Sequence, residues 1–314
     1  MMLKRNKRFQ NNRLLILDPY GFEMPFPNKV DSYPAHLREV FQYILNSISS
    51  NDLVALQEGE TADENLINVY FKIMEKFNQV LLSRNEYIKK QAANDGGAIL
   101  KPVVFDTQKV LYCNTKFIRD VMNCSPSDYD LLMQGPDTDQ KRKFTKIISS
   151  IVEHEVILIP YYPEQTPNSA SAGLTPMLVE LHPKDLQATL YMKSGDRITT
   201  STMGGEGTPS PAEKTADMIS EEVMKIFENC ARFTGENFDI EMVDGGTCEV
   251  IVSCDEDYMI AMAYVADCHT YNRAVNLELF NIDRERNKMI DLFLSLLSFE
   301  WVNQKENCGR NLEC

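Results

Sequence analysis

Apolar positions recur along this chain with two periods. In "TADENLINVYFKIMEKFNQVLL", Leu66, Tyr70, Ile73, Met74 and Phe77 fall at helical spacing. Thr61 and Glu64 ahead of them form a capping-box pattern. The same spacing predicts a helix over about 35–49, with Leu37, Val40, Phe41, Ile44 and Ile48 on one face. It predicts others over "FTKIISSIVE", over about 212–232, and over "NIDRERNKMIDLFLSLLSF". Three shorter runs read as strands: "EVILIPYY" (155–162), "MLVELH" (177–182) and "ATLYMKS" (188–194). The last two are separated by Pro183–Gln187, a hairpin loop. "VLYCNTKFIRDVM" reads as a short strand entering a helix, and "NFDIEMV" as a further strand. "SPSDYDLLMQGPDTDQKRK" reads as polar and loop-rich, and Pro, Ser and Gly punctuate mobile insertions near 163–174 and 202–212. Helices flanking a small sheet, without regular alternation of strand and helix, define an α+β class.

Composition is that of a globular chain, with 43% hydrophobic and 25% charged residues among 314. A single domain is expected over 14–301, between a basic arm at 1–13 and a polar tail at 302–314. Net charge is −14, yet Lys4, Arg5, Lys7, Arg8 and Arg13 lie in that arm, which leaves −19 on the remainder. An acidic body repels phosphate backbones, so nucleic acid is not expected as a direct ligand. The arm is a nuclear address, a partner contact or simply a solvated tail. No run of eighteen apolar residues is present, so no membrane span is expected. The eight cysteines are scattered without CxxC pairs, which reads as reduced thiols in a nuclear or cytoplasmic protein. Four histidines and no ligand spacing argue against a metal site, and no cofactor is implied. Asp255, Glu256 and Asp257 diverge by about 100° each on a helix and cannot converge on one ion. "GGEG" at 204–207 lacks the ending of a phosphate loop and reads as linker.

"DGGTCEVIVSCDEDYM" (244–259) raises a sharper question. Two glycines lead into Cys248 ahead of a segment whose Val250, Cys254, Tyr258, Ala261, Met262 and Val265 fit a helix. A cysteine at a helix start feels the helix dipole, which lowers a thiol pKa. A cysteine is also among the most commonly buried residues, and the structural or vestigial thiol is the preferred reading of Cys248.

Six segments in order resemble the Ulp/SENP family of cysteine proteases, which process SUMO and related ubiquitin-like modifiers. "TADENLINVYFKIM" is similar to the family's opening helix, and "LYCNTKFIRDV" to the segment after it. "EVILIPYY" sits where the family has its first core strand, and "MLVELHPKDLQATLYMKS" resembles its paired catalytic strands. "DGGTCEVIVSCDEDYM" is similar to the start of its cysteine helix. "NLELFNIDRERNKMIDLFLSLL" is similar to its closing helix, with Asp283 and Arg286 near the family positions. The resemblance implies a papain-like α+β fold of the Ulp/SENP type, a central mixed sheet flanked by helices, with the helix carrying Cys248 packed on the sheet.

It also shows what is missing. The family's histidine, which takes the thiol proton, falls at Leu174 or Thr175. Its aspartate falls at Met192 or Lys193, its oxyanion glutamine at Met242, and the glycine after the nucleophile at Glu249. His182 lies at the far end of its strand, on the order of 25 Å from the expected position. His36, His154 and His269 are no better placed. Cys248 is thus the only candidate nucleophile and lacks a base. The resemblance implies a pseudoprotease acting as a binding or scaffold subunit of an intracellular complex, with a protein partner that uses the 163–174 insertion, the basic arm or the C-terminal tail preferred and SUMO or another ubiquitin-like protein as a further candidate. Two alternatives stay open: an atypical deSUMOylating isopeptidase using Cys248, and an unrelated α+β interaction protein.

Overall fold

The computed structural model describes residues 47–59, 64–94, 107–126, 128–163, 174–193, 211–235, 247–250 and 258–294. The basic arm, most of the helix expected at 35–49, Thr61, "NFDIEMV", Met242, the acidic run 255–257, the bulk of both insertions and the C-terminal tail lie outside these residues.

The first described helix, α1 (Ser50–Glu58), is one the hydrophobic pattern does not announce. Its signal is local. Ser49 N–H donates to the Asp52 carboxylate at 2.6 Å, and Asp52 N–H donates to Ser49 Oγ at 3.2 Å, a reciprocal capping box. Gly59 closes it in the left-handed region at φ 79°. Helix α2 (Glu64–Asn94) follows with the expected apolar stripe, and Leu66, Ile67, Tyr70, Ile73, Met74 and Phe77 are all buried.

Strand β1 (Val110–Tyr112) leads into α3 (Phe117–Cys124), as "VLYCNTKFIRDVM" predicts. The stretch expected to be loop-rich is instead largely helical. It holds α4 (Tyr129–Gln134), and α5 (Asp139–Val152) begins five residues before "FTKIISSIVE". The reason is capping: Asp128 Oδ1 accepts from Leu131 N–H, and Thr138 Oγ1 accepts from Lys141 N–H. Two N-caps outweigh a polar composition.

The sheet then assembles from β2 (Val156–Tyr161), β3 (Met177–His182), β4 (Gln187–Lys193) and, after α6 (Pro211–Thr234), β5 (Thr247–Val250). Spatial order follows sequence order, β1-β2-β3-β4-β5. β1 runs parallel to β2, β3 is antiparallel to both its neighbours, and β5 is parallel to β4. Four strands therefore point one way and β3 the other. The β3–β4 turn is as expected, with Leu186 absorbing a positive φ of 52°.

Helix α7 (Tyr258–Thr270) and a last helix over 282–294 complete the described chain. Helix α7 is buried at every position from Met259 to Ala266, and it packs between α2 and β2. On the other side α3 touches β2, α6 touches β4, and α5 bridges α3 and α6. All six residues of β2 are buried, and alternate residues of a strand face opposite ways, so both faces of the sheet are covered at its centre. The architecture is α+β with a central mixed sheet. No described helix is long and apolar enough to cross a membrane.

Candidate functional site

The strand directions gather the expected site positions at one end of the sheet. Leu174 and Thr175 immediately precede β3, whose start lies beside the end of β4, with Leu178 opposite Tyr191. Met192 and Lys193 end β4, and they pair with Glu249 and Val250 of β5.

Cys248 does not start a helix. It is the second residue of β5, opposite Tyr191 of β4. The helix that packs on the sheet begins ten residues later, at Tyr258. The expectation of a helix carrying Cys248 is thus corrected. The physical reason is in the sequence, where Thr247–Val250 is half β-branched and favours a pleated edge. Leu174 and Thr175 are half-buried, and Thr175 N–H donates to Thr215 Oγ1 of α6 at 3.0 Å. Neither can carry a proton.

Three of the four histidines fall within the described residues, and all three lie at the opposite end of the sheet. His154 precedes β2, with its Nδ1 2.6 Å from Ser150 O, and burial lowers its pKa. His182 ends β3. His269 is the penultimate residue of α7.

The structure brings two of these histidines together in a way that single-residue reading misses. Glu180, on β3, is a buried acid in a strand that is apolar apart from it and the terminal His182. His182 Nε2 lies 2.6 Å from its Oε1, two residues along on the same strand face. The Tyr191 hydroxyl donates to Oε2 at 2.6 Å from β4. His269 Nε2 lies 2.9 Å from Oε2. On its far side, His269 Nδ1 meets Gln108 Oε1 at 3.2 Å.

Gln108 is held in turn by α2. Asn78 Nδ2 donates to the Gln108 carbonyl at 2.9 Å, and Val110 N–H donates to Asn78 Oδ1 at 3.3 Å. Burial alone would raise the Glu180 carboxyl. The His182 hydrogen bond, the His269 contact and the Tyr191 hydroxyl outweigh it and hold the carboxyl well below the usual carboxylate range. The Glu180 hydrogen bond raises the His182 imidazole against its partial burial, helped by the charges of Glu180 and Asp185. The sequence signal for this cluster was present: one carboxylate inside "MLVELH", with a histidine at strand period.

The remaining described cysteines offer no alternative nucleophile. Cys113, Cys124, Cys230 and Cys268 are all buried, and burial raises each thiol. Cys113 lies in the wall of a cleft of about 410 Å³ between α2 and the turn after β1. That cleft contains no histidine. Among the described residues no group of three or more His, Cys, Asp or Glu is arranged to hold a metal.

No protein-family model matches the chain, and no curated protein matches it. Solved structures do. One is the SUMO protease Ulp1 with its catalytic cysteine oxidized to a sulfenic acid, at 11% identity and a TM-score of 0.43, covering 85% of this chain and 96% of that one. Another is the C-terminal Ulp1 protease domain in complex with SMT3, the yeast ortholog of SUMO, at 11% identity and a TM-score of 0.41, covering 85% and 95%. A third is a de-sumoylating protease at 11% identity and a TM-score of 0.40, covering 83% and 90%.

Proposed function

We propose that this protein is a pseudoprotease of the SUMO-protease type that acts by binding other proteins. The carrying observation is the separation of thiol from base. Cys248 sits in β5 near one end of the sheet, and all three described histidines sit at the other. A cysteine protease needs its imidazole within hydrogen-bond reach of the thiol, both to take the proton and to return it to the leaving amine. The residues at the family positions, Leu174 or Thr175 and Met192 or Lys193, supply no such group. The start of α7, where the dipole would favour a thiolate, holds Tyr258. The order of elements argues for descent from a modifier-processing ancestor. A ubiquitin-like protein is therefore one partner class to test, alongside subunits of a heteromeric complex.

The test is a ubiquitin-like modifier carrying a C-terminal electrophile, applied to the full chain and followed by intact mass. The expected result is no adduct with either SUMO or ubiquitin probes, in the native chain and in Cys248→Ala alike. Non-covalent binding of the unmodified SUMO, read by calorimetry, then scores the partner reading separately. An adduct that disappears in Cys248→Ala would overturn the pseudoprotease reading in favour of an atypical isopeptidase.

A further inference from the structure

The Glu180 cluster joins stretches far apart in sequence: β3, β4, the last turn of α7 and the 107–109 segment that enters β1. Among the described residues, no lysine or arginine forms an ion pair with Glu180, and the basic side chains in contact with it are imidazoles. We propose that Glu180, His182 and His269 form a proton-operated clasp, closed while His182 carries a proton beside the buried carboxylate and loosened when that proton leaves.

The geometry gives the proton a path. The Glu180 and His269 side chains are only 7% and 8% exposed, whereas His182 is 25% exposed. His182 is therefore the face of the cluster that exchanges protons with water. The neighbouring charges leave this role to it. In the turn after β3, Asp185 adds a negative field, and Lys184 is engaged with Glu155 at 3.7 Å. Ahead of β1, Lys109 lies 3.8 Å from Glu153, and its N–H donates to Glu155. On α7, Asp267 is paired with Arg273. Among the described side chains, the Tyr191 hydroxyl faces the carboxylate from β4, and the neutral Gln108 reaches His269 from the 107–109 segment. When His182 deprotonates, a buried carboxylate loses the nearest group able to neutralise it.

The sign follows from linkage. The His182 pKa is raised on folding, so its contribution is complete below the ordinary histidine value of about 6.5 and is lost as pH rises through the higher folded value. The Glu180 pKa is lowered on folding, so its contribution is present above the ordinary carboxylate value and fades only in acid. The clasp is tightest in weakly acidic solution and opens toward alkaline pH. Opening frees the C-terminal turn of α7, the helix that packs between α2 and β2.

Histidine proton NMR of the full chain tests this directly, since the sequence has four histidines. His182 is expected to titrate above a free histidine, and in Glu180→Gln to fall back toward or below it. Amide exchange at 266–270, corrected for intrinsic rates, is expected to speed up about tenfold from pH 6 to pH 8.5, and to lose that dependence in His182→Asn. A His182 that titrates at or below the free value, or protection of 266–270 that is equal at both pH values, would overturn the clasp. Both readouts exist in the unsubstituted chain, so a variant that fails to fold leaves the decision intact.

Discussion

Tyr191 stands opposite Cys248 in the parallel β4–β5 pair, and its hydroxyl donates a 2.6 Å hydrogen bond to Glu180 on β3. One side chain thus stands beside the strand that carries Cys248 and reaches the buried acid that gathers His182 and His269. Removing the hydroxyl leaves the carboxylate one donor short in a buried place. Tyr191→Phe is expected to cost about 2 kcal/mol, as for hydrogen bonds to charged groups. Urea unfolding against the native chain measures it, and a change under about 0.5 kcal/mol would mean the hydroxyl is dispensable.

Burial silences the described thiols. It pushes Cys230 up to about 12 and Cys268 up to about 11. At pH 8 such groups are almost wholly protonated and unreactive. Iodoacetamide labelling read by peptide mass should leave both unmodified in the folded chain and modify both in denaturant. Rapid labelling of either under native conditions would contradict the packing.

Gly59 ends α1 at φ 79°, and a Cβ built there would meet Arg286 Nη1 of the last helix at 3.3 Å. Gly59→Ala therefore combines left-handed strain with a displaced guanidinium. The expected cost is about 1–2 kcal/mol. A thermal melt should show a lower midpoint, whereas an unchanged one would mean that the turn re-forms differently.

Phe293 is fully buried and meets Tyr70 edge-on, ring centroids 6.2 Å apart. Phe293→Ala should cost about 4 kcal/mol, the transfer term plus a cavity. Leu131, 73% exposed on α4, is the control, and Leu131→Ala should stay within about 0.5 kcal/mol. Similar losses in the two would place the core wrongly.

Local rules were legible where a segment carries its own signal. β3 appears at Met177–His182 as expected, β2 and β4 within a residue, and α2 shows its predicted buried stripe. α4 was missed because a six-residue helix offers too few apolar positions to show a period, although Asp128 marked its start. The helix expected to carry Cys248 failed for a related reason. Periodicity fitted to Val250, Cys254 and Tyr258 cannot say where a helix begins, and the described helix starts only at Tyr258.

By itself, the sequence determined the class and most strand positions. Those are properties of single segments and of residue identity, which spacing and composition report directly. Only the tertiary structure decided that Cys248 lies in an edge strand and that Glu180 gathers His182, Tyr191 and His269 around it. Glu180 and His269 are separated by 89 positions in the chain and meet only because α7 packs back onto the sheet. A contact of that kind belongs to the packing of elements, which no local pattern encodes.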